Sequence, residues 1–238
     1  MDQLPEAILF DTDNTLYRYE PAHQAALNAT ACKAATLLNI SEKDFIKQYN
    51  SARDIIKARI INTASSHSRL LYLQTLLETN GFRSPLHIAL DLEQTYWRTF
   101  LFNTRLFDGL IDFLDLVASF NIKIAVITDL TASIQLRKLT FFGLENTFDA
   151  VVTSEEVGVD KPHRSNFDLA LSKLSLSSFD HVWMIGDHPI SDVQGSLDVG
   201  AYAFQKIHSG VELYKHQHPR YKSFHNYIQL QHYLSNLA

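Results

Sequence analysis

The chain has 238 residues, of which 46% are hydrophobic and 20% are charged, a composition typical of a soluble globular protein with a sizeable core. Its formal net charge of −5 argues against nucleic acid as a partner, because binding to a phosphate backbone requires a basic face. No apolar stretch is long enough to span a membrane, no signal peptide is expected, and the single cysteine, Cys32, favours a reducing, cytoplasmic location.

The first predicted element is a buried strand near residues 7–11 that ends in acidic residues. The apolar run Ala7-Ile8-Leu9-Phe10 is followed directly by Asp11-Thr12-Asp13. In open α/β sheets, ligands bind at the carboxyl ends of the strands. We therefore expect Asp11 and Asp13 to lie in a ligand-binding crevice.

Residues 17–104 contain almost no strand signal and have four helical segments. These run from Pro21 to about Leu38, onward from a capping Ser41, from Ser66 to Glu78, and from Pro85 to about Phe100. Such helices need apolar partners, so the segment is predicted to form its own small bundle. The predicted domains are a core of residues 1–16 and 105–238 and a helical cap of residues 17–104.

Strands and helices alternate in the rest of the chain. This alternation predicts right-handed crossovers and a parallel, Rossmann-like α/β sheet that is interrupted only by the inserted cap. The predicted strands lie near residues 122–128, 149–153, 181–186 and 201–206, and the predicted helices near 107–120, 131–143, 164–174 and 190–199.

The predicted strand near residues 181–186 also ends in acidic residues, Asp187 and then Asp192. Two acid-tipped strands in one sheet bring four carboxylates together, and these anions repel one another unless a cation lies among them. Mg²⁺ is the predicted cation because it prefers hard oxygen ligands. The alternative is that the acids are ordinary loop residues at strand ends.

Two further polar residues have the properties needed to bind a phosphoryl group. Thr128 ends the strand near 122–128, where its hydroxyl and nearby backbone N–H groups can donate hydrogen bonds beside a helix start. Lys161, which precedes Pro162, can reach the same edge as a point cation. The competing interpretation of Lys161 is a surface side chain paired with Asp160.

Taken together, these motifs resemble the haloacid dehalogenase-like hydrolase superfamily. Such proteins have a Rossmann-like core with a helical cap inserted after the first motif. The stretches 13–17 and 154–162 are similar to those of a subgroup that contains nucleotide phosphatases and N-acylneuraminate-9-phosphatase. The motifs stand in the family's order as Asp11-x-Asp13-x-Thr15, Thr128, Lys161-Pro162 and Gly186-Asp187-x4-Asp192.

The resemblance implies a catalytic role for both carboxylates at the first strand. Asp11 would be the nucleophile that forms an aspartyl-phosphate, and Asp13 the general acid and then the general base. Thr128 and Lys161 would hold the transferring phosphoryl oxygens. Asp13 also separates the chain from true dehalogenases, which typically lack this second acid because a halide leaving group needs no proton.

The same resemblance implies a magnesium site. The carboxylates of Asp11 and Asp187 and the backbone carbonyl of Asp13 would be ligands, while Asp192 would orient metal-bound water or hold Lys161. The expected activity is a Mg²⁺-dependent phosphatase of a small phosphorylated metabolite, either a nucleotide or a sugar phosphate. A phosphomutase and a binding or regulatory protein with a degenerate site are the alternatives, and the sequence leaves monomer and homodimer open.

One position departs from the family pattern, because Asp129 stands where Asn is usual. We expect its carboxylate to turn away from the phosphate or to cap the following helix; weakened phosphate binding is the competing expectation. His188 is as easily incidental as functional, and the histidines near the C-terminus are expected in an exposed loop. Candidates for contacting the rest of the substrate are Arg18, Tyr19, His23, Arg59, His67 and Arg69.

Overall fold

A six-stranded parallel sheet carries the strand ends at which the acidic residues lie. The structure is a computed structural model that describes residues 3–82 and 86–238. The strand order is β3-β2-β1-β4-β5-β6, which confirms the predicted Rossmann-like α/β class and puts the carboxyl end of β1 at the point where the strand order reverses. The strands are β1 (Ala7–Phe10), β2 (Lys123–Thr128), β3 (Ala150–Thr153), β4 (Val182–Gly186), β5 (Tyr202–Lys206) and β6 (Tyr221–Phe224).

The register of the three central strands aligns the ends that carry the predicted motifs. Phe10 pairs with Val126 of β2 and with Ile185 of β4. Every residue of β1 is buried, as expected for a parallel strand covered on both faces. The residues that follow Phe10 and Ile185 therefore leave the sheet side by side.

The chain divides into two compact units, Met1–Arg18 with Arg105–Ala238 and Tyr19–Thr104. The first break lies after Arg18, two residues beyond the predicted end of the first core segment at residue 16. Two contacts keep this stretch with the sheet: Phe107 N–H donates to the Leu16 carbonyl over 2.9 Å, and Tyr17 forms a bridge with Leu106.

The unit Tyr19–Thr104 is helical, as predicted. Ser41 caps the second helix, and its Oγ accepts a hydrogen bond of 3.1 Å from the Asp44 N–H. The third helix starts later than predicted because Ser66 lies in a 3₁₀ turn and Ser68 is the cap. Pro85, the predicted start of the fourth helix, lies outside the described residues. The helices are α1 (Tyr19–Leu38), α2 (Glu42–Arg59), α3 (Arg69–Thr79) and α4 (Leu86–Phe102).

The sheet unit has six further α-helices and a π-helical turn, Pro189–Gln194. Sequence analysis did not predict β6 or α10: β6 has four residues with an exposed polar pair at its middle, so it has no apolar run to identify it. Within the described ranges, no helix combines the length and apolar character that crossing a membrane requires. The helices are α5 (Leu110–Ser119), α6 (Ala132–Phe141), α7 (Ser154–Val157), α8 (Arg164–Lys173), α9 (Gly195–Val199) and α10 (Tyr227–Ser235).

Candidate active site

Lys161 occupies the centre of the candidate site. Its buried Nζ donates hydrogen bonds of 2.7 Å to Asp11 Oδ1, 2.7 Å to Asp192 Oδ1 and 3.0 Å to the Ile127 carbonyl oxygen. The competing interpretation of Lys161 as a surface side chain paired with Asp160 is therefore wrong. One ammonium connects groups that follow β1 and β4 with the backbone of β2.

Asp11 leaves β1 with its carboxylate held on both oxygens. Lys161 binds Oδ1, and the Thr15 hydroxyl donates to Oδ2 over 3.2 Å. The Asp11 backbone N–H donates to the Ile185 carbonyl over 2.9 Å, which extends the β1–β4 ladder by one step. Asp11 is 8% exposed, so a small part of it remains open to solvent.

Three carboxylates lie close enough together to hold a metal ion. One oxygen each from Asp11, Asp187 and Asp192 lies within 4.8 Å of the others. Asp13, which was expected to contribute its backbone carbonyl, does not bring its carboxylate into this group. Three acids around one lysine ammonium leave an excess of negative charge, and hard oxygen donors of this kind suit Mg²⁺.

Gly186 makes room for Asp192 in this group. A Cβ atom added at Gly186 would lie 2.4 Å from Cγ of Asp192, far inside van der Waals contact. Asp192 lies in the π-helical turn after β4, and its Oδ2 accepts a hydrogen bond of 3.0 Å from the His188 N–H. Gly186 is therefore required by the packing of Asp192, six positions further along the chain.

Thr128 lies in a buried cluster of polar side chains that the sequence analysis missed. Its Oγ1 forms a hydrogen bond of 2.8 Å with Thr12 Oγ1 and accepts one of 2.6 Å from Gln135 Nε2. Thr12 follows the nucleophile candidate in the first motif, and Gln135 comes from α6. The two partners fix the Thr128 hydroxyl at the end of β2.

Asp13 is held by Lys138, which no motif identified, and by Tyr17, the last residue of the stretch 13–17. Lys138 Nζ on α6 donates to Asp13 Oδ1 over 2.8 Å, and the Tyr17 hydroxyl donates to the same oxygen. Lys138 is 1% exposed and lies 5.6 Å from the Tyr17 ring centroid. The Asp13 side chain itself is 35% exposed. A buried cation and a buried phenol therefore orient a carboxylate that remains accessible.

Burial and charge shift the pKa values in the site in different directions. Burial raises the pKa of the Asp11 carboxyl well above its ordinary value, against the lowering effect of Lys161. Burial alone would lower the pKa of the Lys161 ammonium. The carboxylates of Asp11 and Asp192 outweigh the effect of burial, so the pKa of Lys161 is raised. Burial also raises the pKa of the Tyr17 phenol, and the neighbouring Asp13 raises it further, so Tyr17 stays a donor at neutral pH.

The Asp129 side chain contacts the backbone of Lys161. Its Oδ1 accepts a hydrogen bond of 2.8 Å from the Lys161 backbone N–H. It does not cap α6, whose Ala132 N–H donates instead to Glu155 Oε2 over 2.8 Å. Burial raises the pKa of the Asp129 carboxyl, although the Lys161 charge opposes that rise.

Two histidines near the acidic group have different surroundings. Nδ1 of His188 accepts hydrogen bonds from the backbone N–H groups of Ile190 and Ser191, so this side chain caps the π-helical turn. His208 is one of the C-terminal histidines expected in an exposed loop, and for this residue the expectation is wrong: it is half-buried, with Nε2 3.0 Å from Asp187 Oδ2. That hydrogen bond raises the pKa of the His208 imidazole.

The residues predicted to contact the rest of the substrate fall into separate places. Arg18 belongs to the sheet unit, and Arg59 is exposed on α2 of the helical unit. The remaining four line one cavity within the helical unit: Tyr19, His23, His67 and Arg69.

Comparison with known proteins agrees with the motifs. The sequence model of a family described as haloacid dehalogenase-like hydrolase matches residues 5–200. The chain is 36% identical over 195 residues to a ribulose-1,5-bisphosphate 5-phosphatase from Halopiger xanaduensis, with 82% of this chain and 81% of that protein covered. It is 30% identical over 196 residues to a glyceraldehyde 3-phosphate phosphatase from Methanocaldococcus jannaschii, with 82% of each covered.

Among solved structures, a 2-haloacid dehalogenase from Pseudomonas syringae pv. Tomato DC3000 superposes with a TM-score of 0.81 and 22% sequence identity. The superposition covers 100% of each chain. At this level of identity the similarity concerns the fold alone. It shows that solved proteins adopt this fold.

Proposed function

The chain belongs to the haloacid dehalogenase-like hydrolase family, and on that premise we propose that it is a Mg²⁺-dependent phosphatase of a small phosphorylated metabolite. The observation that carries the proposal is the Lys161 ammonium, 2.7 Å from both Asp11 and Asp192 and beside the group that Asp187 completes. A carboxylate held in this way is a nucleophile for phosphorus that needs no general base.

In the proposed reaction, Asp11 attacks the phosphorus of the ester and forms an aspartyl-phosphate as the alkoxide leaves. Lys161 and the Thr128 hydroxyl bind phosphoryl oxygens, where negative charge increases in the transition state. Asp13 donates a proton to the departing oxygen and then takes one from the water that hydrolyses the aspartyl-phosphate. Lys138 acts as a positioning residue that keeps the Asp13 carboxylate in one orientation.

The proposed metal is Mg²⁺, held by the carboxylates of Asp11 and Asp187 and by the backbone carbonyl of Asp13. When bound, it supplies positive charge that offsets the repulsion among the carboxylates and the substrate phosphate. Asp192 would keep Lys161 in place by accepting its hydrogen bond of 2.7 Å.

For the substrate we favour a sugar phosphate over a nucleotide. Two relatives that align with 82% of the chain are named as phosphatases of ribulose-1,5-bisphosphate and of glyceraldehyde 3-phosphate. Both substrates are short phosphorylated sugars. The helical unit, which we propose acts as the cap, would discriminate between esters, because the residues of the sheet unit account only for the phosphoryl group.

The test is a screen of sugar phosphates, nucleotides and p-nitrophenyl phosphate in the presence of Mg²⁺. The quantity measured for each compound is the release of inorganic phosphate. Release from sugar phosphates supports the proposal. An isomeric phosphate formed without release of inorganic phosphate would indicate a phosphomutase instead. Release of halide from a 2-haloalkanoate without any phosphatase activity would indicate a dehalogenase.

A further inference from the structure

We propose that a cavity within the helical unit is a second anion site that binds a phosphate group. The cavity has a volume of ≈290 Å³, close to the low end of the range for small-molecule sites. Its cationic side chains are Arg53, Lys57 and Arg69, and Glu20 is the single carboxylate among the residues that line it. No residue of the candidate active site takes part in it.

Arg69 is fixed in the cavity wall and has no acidic partner in the described part of the chain. Its Nη1 donates to the His67 carbonyl over 2.6 Å, and its Nη2 donates to the Tyr19 hydroxyl. Its guanidinium carbon lies 5.5 Å from the Tyr96 ring centroid and 5.1 Å from that of Trp97. The buried Nε has no hydrogen-bond partner among the described residues. The guanidinium is therefore preorganised, with its charge uncompensated by a carboxylate.

Arg53 and Lys57 add two positive charges on one stripe of α2. They lie four positions apart, so their side chains are neighbours, and like charges at this spacing destabilise an isolated helix. Arg53 contacts the carboxylate of the next residue, Asp54, at 3.6 Å, and both side chains are exposed, so this pair neutralises little. The two side chains present their charges to the same cavity.

The carboxylate of Glu20 forms a hydrogen bond with a neighbouring side chain of its own helix. Glu20 is exposed, and its Oε1 accepts a hydrogen bond of 2.8 Å from Gln24 on the next turn of α1. Tyr49 and Tyr72 are buried beside the cations and give the cavity apolar walls. Two guanidinium groups and an ammonium match a phosphate dianion, because arginine presents several donors in one plane.

The phosphate has two sources that the chemistry of the cavity does not separate. One is a second phosphate carried by the substrate, and this source rests on the proposed phosphatase function. The other is a separate phosphorylated molecule that binds the helical unit on its own. Binding and kinetics distinguish the two.

The first experiment measures binding of inorganic phosphate to the full-length protein by calorimetry in EDTA. Without metal, the acids of the candidate active site repel phosphate, so the measurement reports the helical unit. We expect Arg53→Gln and Lys57→Gln to weaken binding by roughly tenfold or more, the loss typical of one charge-assisted hydrogen bond. Arg59→Gln removes the same charge from an exposed position of α2 outside the cavity and is the matched control.

No binding of phosphate to the wild-type protein, or equal weakening in Arg59→Gln, would overturn the proposal. A Lys161→Met variant that loses phosphate binding in EDTA would also overturn it, because the anion would then belong to the active site. Thermal unfolding of each variant identifies losses caused by misfolding. These outcomes do not depend on catalysis, so they remain decisive if the phosphatase proposal fails.

The second experiment compares kcat/KM for a sugar bisphosphate and for the matching monophosphate in Mg²⁺. If the cavity binds the second phosphate of the substrate, Arg53→Gln and Lys57→Gln each lower the ratio of kcat/KM for the bisphosphate to kcat/KM for the monophosphate by roughly tenfold. Arg59→Gln leaves this ratio unchanged. An unchanged ratio together with lost phosphate binding in EDTA assigns the cavity to a separate phosphorylated molecule.

Discussion

The Lys138 ammonium donates a hydrogen bond of 2.8 Å to Asp13, a residue 125 positions earlier in the chain. Lys138 is buried on α6, whereas the Asp13 side chain is partly exposed. A lysine is rarely buried without a partner, because removing its charge from water is costly. The contact therefore serves both residues: it neutralises the lysine and orients the acid.

We expect Lys138→Gln to lower kcat by about tenfold to a hundredfold, with a smaller effect on KM. The variant loses the charged donor that orients Asp13, and proton transfer depends on that orientation. Arg137→Gln, which removes an exposed positive charge from the same helix, is the control and leaves kcat nearly unchanged. Equal kcat values for the two variants would refute the positioning role.

Asp11→Asn is expected to reduce turnover by more than about a thousandfold, because the amide cannot form the aspartyl-phosphate. Phosphate release measures turnover, and mass spectrometry of wild-type protein quenched during turnover detects the phosphorylated Asp11. Asp168→Asn, on the exposed face of α8, controls for loss of a carboxylate. Retained activity in Asp11→Asn, without deamidation, would point to another nucleophile.

Chelation of divalent metal by EDTA is expected to abolish activity, and Mg²⁺ is expected to restore it. Ca²⁺ should restore it poorly, because its larger and looser coordination misplaces Asp11 relative to phosphorus. Phosphate release over a titration of each metal provides the measurement. Full activity in metal-free buffer would remove the metal from the proposed mechanism.

Gly186→Ala is expected to destabilise the protein by about 1–3 kcal/mol and to lower activity, because the added Cβ displaces Asp192 and with it Lys161. Gly81→Ala is the comparison: that glycine has a φ of +79° but open space around it. Replacing Gly81 by alanine strains the backbone but displaces no residue of the candidate active site. Chemical denaturation and kcat together check the prediction, which is wrong if the two variants lose activity equally.

Asp129→Asn is expected to raise the melting temperature near neutral pH. The pKa of the Asp129 carboxyl is raised in the folded state, so its ionised form costs stability above that pKa, and the cost disappears below the unfolded value of about 4. The amide oxygen can still accept the Lys161 N–H, without a buried charge. The gain in melting temperature should therefore shrink as the pH falls toward about 4. A gain that is independent of pH would contradict the assignment.

The parallel sheet could be predicted from sequence because its central strands are buried on both faces and appear as continuous apolar runs. Asp11 and Asp187 could be found because each follows such a run directly. Lys138 could not be connected with Asp13, because a lysine in a helical pattern resembles a solvent-exposed residue until the packing of α6 is known. Only the tertiary structure brings these side chains together.

The position of Asp129 shows the same limit at shorter range. A carboxylate next to Thr128 suggested repulsion of phosphate. The partner of this carboxylate is the backbone N–H of Lys161, far along the chain, which the sequence does not reveal. Strand β6 was missed because four residues with polar side chains at the middle carry no periodic signal. Asp129 and β6 both depend on partners elsewhere in the chain, Lys161 for Asp129 and strand β5 for β6.

The three contacts of Lys161 constrain the order in which an inactive relative could lose the residues of this site. Loss of Asp11 leaves the buried ammonium paired with Asp192, over 2.7 Å. Loss of Lys161 leaves adjoining buried acids without their cation, which costs about 3–5 kcal/mol, a large part of the stability of a typical domain. An inactive descendant of this enzyme is therefore expected to lose Asp11 first and to keep Lys161 as a structural residue.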